Sequence, residues 1–327
     1  MPSVPYAELH PSLGGLLAGV EAEIARVWET ESGFLNAAVR RTLSGRGKRL
    51  RPLLTLLAAE SAGGAREGTI RFAAVAEVVH TASLVHDDVV DGALSRRGRR
   101  SAKAAWGNKI SVLLGDYLIA RAFIRLAEGD SDDLALELAE VARQMCDGQI
   151  LEMRLTGRII SEDQYLRIVR AKTGSLFGLC GKAGVMTGRG EAETAAALQQ
   201  FGQHFGLAFQ IADDILDLVG SNGRSGKSQG KDLRERKFTL PLILAAQSGR
   251  DVRGRLQAIL KAEKITGRSL REAQQFARST RALERSWEAV HASLGRAREA
   301  LAGVPESSAK QALLALAGER FPLPVMQ

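Results

Sequence analysis

Apolar residues recur at helical spacing along almost the whole chain, while the alternating β-branched runs and Asn-Gly or Asp-Gly turns that mark hairpins are absent. Over residues 71–90, Phe72, Val75, Ala76, Val79, Ala82, Ser83 and His86 follow one helical face, and small or apolar residues on the other faces predict a central helix buried all round. Ser131-Asp132-Asp133 opens a second long pattern running to Leu155, and Ser161-Glu162-Asp163 opens a third. Further helices are expected at roughly 12–32, 34–44, 50–62, 108–128, 174–187, 191–219, 239–248, 252–263, 270–300 and 306–317. The predicted fold is all-α: one large helical domain over residues 1–327, without a linker or repeat. Two basic, glycine-containing loops interrupt the helices, at 92–107 and 220–237.

Composition narrows the picture. Two cysteines in 327 residues, Cys146 and Cys180, exclude a disulfide scaffold and point to a reducing, cytoplasmic setting. The longest apolar run, 53–59, is too short to span a bilayer, and the start of the chain carries Glu8, Glu21 and Glu23 rather than an export signal. The net charge of +8 raises nucleic acid as a partner. Only sixteen aromatic rings, mostly within apolar patterns, and no nucleic-acid motif argue against it. The charge is also localised: residues 46–51 carry +4, 96–103 carry +5 and 224–237 carry +4, leaving the rest of the chain at −5.

Two acidic motifs stand at the ends of apolar helices. Asp87-Asp88-Val89-Val90-Asp91 and Asp213-Asp214-Ile215-Leu216-Asp217 share the spacing Asp-Asp-x-x-Asp, so Asp87 shares a face with Asp91, and Asp213 with Asp217. Carboxylates about 6 Å apart repel by roughly 3 kcal/mol at an effective dielectric near 20. The macrodipole also disfavours acids at a helix C-terminus. A cation must offset both costs. Oxygen donors without His or Cys favour Mg²⁺, which keeps waters and is completed by substrate phosphates. Opposite stand Gly47-Lys48-Arg49-Leu50-Arg51, Arg96-Arg97-Gly98, Lys172-Thr173-Gly174, Lys227 and Lys237, bases beside glycines that suit diphosphate. No Walker sequence accompanies them, so nucleotide hydrolysis has no support.

Together these motifs resemble the trans-isoprenyl diphosphate synthases, the polyprenyl synthetase family, from about residue 40 to 241 and more weakly in 1–40 and 242–327. The resemblance rests on Gly47-Lys48-Arg49-Leu50-Arg51-Pro52, the stretch His80-Thr81-Ala82-Ser83-Leu84-Val85-His86-Asp87-Asp88, Asp91, Arg96-Arg97-Gly98 and Gly115-Asp116-Tyr117-Leu118. It continues through Lys172-Thr173, Phe209-Gln210, the second aspartate motif, Gly230-Lys231-Asp232-Leu233 and Lys237 to Thr239-Leu240-Pro241. It implies an isoprenoid-synthase fold with a cavity between the aspartate-bearing helices, mostly homodimeric, that condenses isopentenyl diphosphate head-to-tail with an allylic diphosphate. It further implies Asp87, Asp91 and Asp213 as ligands of Mg²⁺, three ions with bound diphosphate, supported by Asp88, Asp214, Asp217 and Asp232. Arg96, Lys172, Lys227 and Lys237 would hold the allylic diphosphate. Gly47, Lys48, Arg51, His80 and Arg97 would hold isopentenyl diphosphate, and Thr173 and Gln210 would line the reacting end.

Three features depart from the family pattern: Arg46 and Arg236 stand where glycine is usual, and the tail Pro322-Leu323-Pro324-Val325-Met326-Gln327 is not basic. Each arginine is expected to alter loop geometry or add a phosphate contact.

Product length is expected from the helix before Asp87. Ser83, Ala82, Val79, Ala76 and Val75 are small or β-branched, whereas short-chain members of the family place an aromatic floor four or five residues before the motif. A product longer than C20, about C30 to C45, is therefore expected. A floor from another helix, for example Phe123 or Leu118, would instead give C20, and a farnesyl (C15) product is the shorter alternative. The insolubility of a long prenyl tail allows membrane contact at release. A terpene cyclase would carry an Asn/Ser/Glu motif in place of the second aspartates, and a non-catalytic partner subunit would lack one motif.

Overall fold

The computed structural model describes residues 6–43, 47–96, 99–129, 132–220 and 229–321. A short turn of helix, α1 (Tyr6–Leu9), leads into α2 (Leu13–Val27), α3 (Gly33–Leu43) and α4 (Leu50–Glu60). Next comes α5 (Glu67–Val90), the central helix the apolar pattern predicts, flanked by α2, α4, α6 (Ala102–Ala127) and α9 (Ser175–Gly188). Phe72, Val75, Ala76 and Ala82 on α5 are wholly buried.

Between α6 and α9 lie α7 (Asp132–Leu155), α8 (Glu162–Val169) and a π-helical turn, Arg170–Gly174. The long α10 (Ala192–Val219) packs against α9, and a short α11 (Lys231–Arg234) follows. The remaining helices are α12 (Leu240–Ala246), α13 (Arg250–Lys261), α14 (Gly267–Ser279), α15 (Ala282–Ala300) and α16 (Ser308–Leu316). The all-α expectation holds. Among the described residues the only strands are a two-residue antiparallel pair, Ser95–Arg96 with Arg99–Arg100.

Several helix limits differ from the sequence expectation, each for a local reason. The helix expected at 12–32 stops at Val27 because Ser32 begins α3 instead, its Oγ accepting from Leu35 N at 3.3 Å. The helix expected from 108 begins at Ala102, capped by Ser101 Oγ on Ala104 N, and is broken at Gly107, whose φ is +79°. The single helix expected over 270–300 is two, because Arg281 adopts a left-handed φ of +57° between α14 and α15. Ser131, the expected cap of α7, lies outside the described residues.

One helix pair approaches closely enough to require glycine at two positions. A Cβ on Gly202 of α10 would lie 2.2 Å from Phe177 O of α9, and one on Gly181 would lie 2.1 Å from Leu198 O, so α9 and α10 meet backbone to backbone. Phe177, Phe201 and Phe205 fill the space beside that seam, with centroids 5.6 and 5.9 Å apart. This seam anchors α10, and with it the second aspartate motif.

Candidate active site

The two acidic motifs end α5 and α10, and the segment from Gly230 to Lys237 bridges them. Asp91 caps α5, its N–H donating to Asp87 O at 2.8 Å. Its carboxylate, only 9% exposed, receives Lys237 Nζ at 2.9 Å and lies 3.8 Å from Lys231 Nζ. On the other side, Asp217 accepts backbone N–H bonds from Lys231 at 3.2 Å and Asp232 at 3.0 Å, while its carbonyl accepts from Gly230 N. Asp217 therefore fixes the loop that delivers Lys237 to Asp91.

Asp214 is buried and turned into the protein. Tyr165 OH donates to its Oδ2 at 2.7 Å and Gln210 Nε2 to its Oδ1 at 2.8 Å, while Gln210 Oε1 accepts from Thr173 Oγ1 at 3.0 Å. This chain of bonds fixes the orientation of the Gln210 amide. Burial pushes the Asp214 carboxyl up to about 7 even though Tyr165 and Gln210 favour its charged form. Asp232 is pushed well above the usual carboxylate range by burial and by Asp217 and Asp214, and burial beside Asp214 likewise raises Tyr165. Lys237 behaves oppositely. Burial alone would lower its pKa, but Glu152, Asp91 and Glu235 raise it, so it stays charged.

Thr173 and Lys172 both occupy the π-helical turn, an irregularity that widens the backbone spiral and re-aims side chains. Lys172 Nζ donates to Glu152 Oε2 at 2.6 Å, and Lys237 Nζ lies 3.6 Å from the same oxygen and 2.9 Å from Glu235 Oε2. Two lysines assigned to diphosphate from sequence thus converge on one carboxylate of α7. Gly148, one turn before Glu152, makes room for them: a Cβ there would lie 2.9 Å from Lys172 Cγ.

Of the residues expected to hold isopentenyl diphosphate, Gly47, Lys48 and Arg51 lie before and on α4. Lys48 Nζ sits 5.4 Å from the ring centroid of Phe209, next to Gln210, and the nearly buried Arg51 guanidinium stacks 4.5 Å from the Phe177 centroid. Gly47 is half-buried, as are His80 and Ser83 on α5, and Ser83 Oγ donates to His80 O. Asp87 and Asp213 are half-buried and Asp88 is buried. Val79 and Ala82 are buried. Arg97 and Lys227 lie outside the described residues, as do Arg46, the C-terminal tail and the side chain of Arg96.

Arg236 is resolved in structural terms. Its φ of +59° is the left-handed conformation that glycine adopts without strain. Its guanidinium donates to the carbonyls of Leu260, of Ala262 at 2.7 Å and of Glu263 at 3.1 Å, capping the end of α13. Of the two expectations for this residue, loop geometry is the one realised.

Tyr165, Glu152 and Glu235 escaped the sequence reading. Tyr165 sits in an apolar stripe with Ile168 and Val169, and its hydroxyl gave no separate signal. The spacing of Gly148 and Glu152 on one face of α7 was the available clue. Among the described residues no three Asp, Glu, His or Cys side chains are close enough to cage a metal ion. A concavity of about 460 Å³ lies elsewhere, on α14, and contains no carboxylate.

Paired acidic helix ends, crossed by lysines and backed by closely packed apolar helices, define a protein of the isoprenoid-synthase class that handles a diphosphate. The chain belongs to the polyprenyl synthetase family, whose profile matches residues 32–276. It is 38% identical to an octaprenyl diphosphate synthase of Haemophilus influenzae, over 84% of each chain. It is 37% identical to a nonaprenyl diphosphate synthase of Mycobacterium tuberculosis, over 91% of this chain and 92% of that one. A crystal structure of a polyprenyl synthase from Caulobacter crescentus, complexed with calcium and isoprenyl diphosphate, superposes with a TM-score of 0.91 at 35% identity and covers 97% of each chain.

Proposed function

We propose that this protein condenses isopentenyl diphosphate head-to-tail with an allylic diphosphate to give an all-trans polyprenyl diphosphate longer than C20, in the range of about C30 to C45. The observation that carries the proposal is the convergence of Lys172 and Lys237 on Glu152 and Asp91, between the two aspartate motifs. A diphosphate entering there exchanges one set of anionic partners for another, and the acids around Lys237 hold its ammonium charged.

In this reading Asp87, Asp91 and Asp213 hold Mg²⁺, three ions with bound diphosphate. Asp88, Asp214, Asp217 and Asp232 support them. When bound, Mg²⁺ neutralises the leaving diphosphate so that the allylic C–O bond can ionise. Lys172, Lys237, Lys227 and Arg96 grip the allylic diphosphate, while Gly47, Lys48, Arg51, His80 and Arg97 hold isopentenyl diphosphate with its double bond facing the cation. Thr173 and Gln210 border the reacting carbons. The proton lost in forming the new double bond passes to the departing pyrophosphate. The buried faces of α5, α9 and α10 keep out water that would quench the cation. Elongation past C20 uses the face of Ser83, Ala82 and Val79, which carries no aromatic floor and opens as the chain grows.

Further parts of the proposal concern organisation. A single domain is supported by one apolar core reaching from Leu13 to Ala317. A homodimer is supported by α6, where Ile110, Leu113 and Ile124 lie exposed along one face. Cytoplasmic residence is supported by two free thiols, one of them exposed, and no described helix is long and apolar enough to cross a membrane.

Release of pyrophosphate is the direct test. The wild type should release it only when both diphosphates and Mg²⁺ are present; chelation or D213A should abolish the signal. Release from the allylic substrate alone would assign a cyclase instead.

A further inference from the structure

The three loops singled out by charge are not the only basic region. Residues 250–281 carry nine bases against three acids, and these fall on the α13–α14 hairpin and the turn after it. The rest of the chain, −5 in sum outside those three segments, therefore has a strongly cationic surface of its own.

Its geometry is selective. On α14 the apolar residues Leu270, Ala273 and Ala277 are buried, while Arg268, Arg271, Gln275 and Arg278 are exposed at the i, i+3, i+7, i+10 spacing of one face. The only carboxylate of α14, Glu272, is drawn aside by Arg255 of α13 at 2.7 Å, and Arg255 itself stacks on Phe276. Arg250, Arg253 and Lys261 extend the cationic surface along α13. The concavity of about 460 Å³ lies within it, lined by Arg271, Gln274, Gln275, Arg278 and Ser279.

The inner side of the same helix supports the candidate active site. Leu270 packs against Gly230, where a Cβ would lie 2.4 Å from its Cδ1, and Gln274 Nε2 donates to Leu218 O at 2.7 Å, one residue beyond Asp217. A surface docked on the arginines of α14 thus lies about one helix diameter, roughly 10 Å, from the second aspartate motif.

We propose that the arginine face of α13–α14 docks on the anionic phosphate surface of a lipid bilayer. The occupant follows from charge complementarity and from the product, so the proposal rests on the reading that the product is a long prenyl diphosphate. Such a molecule has an anionic head and an apolar tail, and it partitions into a bilayer as it leaves. The apolar side of α14 is committed to the core, so the contact is electrostatic and peripheral, without insertion of the helix.

Flotation of the full chain with vesicles tests this. The wild type should float with vesicles of equal parts phosphatidylglycerol and phosphatidylcholine, release as salt rises, and stay behind with phosphatidylcholine alone. The double variant R271Q/R278Q should bind the anionic vesicles about 30-fold more weakly. A control losing the same charge elsewhere, R26Q/R143Q, should bind as the wild type does. Equal binding by R271Q/R278Q, equal binding to neutral vesicles, or displacement by duplex DNA at physiological salt would overturn the proposal. Prenyl product analysed in detergent separates the two claims: long products without vesicle binding leave the function standing and remove the docking, while short products with vesicle binding do the reverse.

Discussion

Tyr165 acts on the second aspartate motif through a single hydroxyl. Its bond to Asp214 holds α8 against α10 and, through Gln210, sets the side chain that faces Thr173. Asp214 has a folded pKa raised to about 7, so its contribution to stability is present at low pH and is lost as pH rises from the ordinary carboxylate range through 7. Tyr165 limits that loss by donating to the ionised form. Y165F should therefore be nearly as stable as the wild type near pH 5 and fall behind by about 1–3 kcal/mol above pH 7, as read by chemical denaturation with chelator present. An equal gap at both pH values would contradict this role. Sequence patterning identified the aspartates because acids are conspicuous on apolar helices, but Tyr165 blended into the stripe that buries it. Arg236 illustrates the opposite case: its departure from glycine was visible in the sequence, yet only the backbone φ and the carbonyls it caps revealed what it does.

At the level of elements, the α9–α10 seam sets how accurately α10 presents its acidic end. Gly202 allows contact with Phe177 O that any Cβ would block. G202A should lower stability by about 1–3 kcal/mol, whereas G15A, at an exposed α2 position with nothing within 4 Å, should raise it by up to about 1 kcal/mol. Thermal melts of the two variants check this directly. The helices themselves were legible, because 3.6-residue periodicity is a strong signal over twenty residues. Their breaks were less so. The periodicity runs on through Thr280 and Arg281, and only the left-handed φ of Arg281 separates α14 from α15. The π-helical turn at 170–174 follows from no local composition either, although it carries Lys172 and Thr173.

Across the whole molecule, charge is arranged on two levels. Lysines and aspartates neutralise one another inside the site, while the α13–α14 surface keeps its arginines outward. The acidic motifs were readable from their spacing, and Lys172 and Lys237 stood out only as bases in glycine-containing segments. The sharing of Glu152 by two lysines was not readable, because it joins α7, the π-helical turn and the loop after α11 in space. Product length is the property that depends on the molecule as a whole, since it reflects how far the face of Ser83, Ala82 and Val79 continues without obstruction. A82F should place a floor five residues before Asp87 and shorten the product. The most direct test of the account is chromatography of the dephosphorylated products after the wild-type protein is incubated with Mg²⁺, an allylic diphosphate and excess isopentenyl diphosphate. The account predicts all-trans alcohols longer than C20, centred within about C30 to C45; a series that stops at C15 or C20, or a cyclised hydrocarbon, would contradict it.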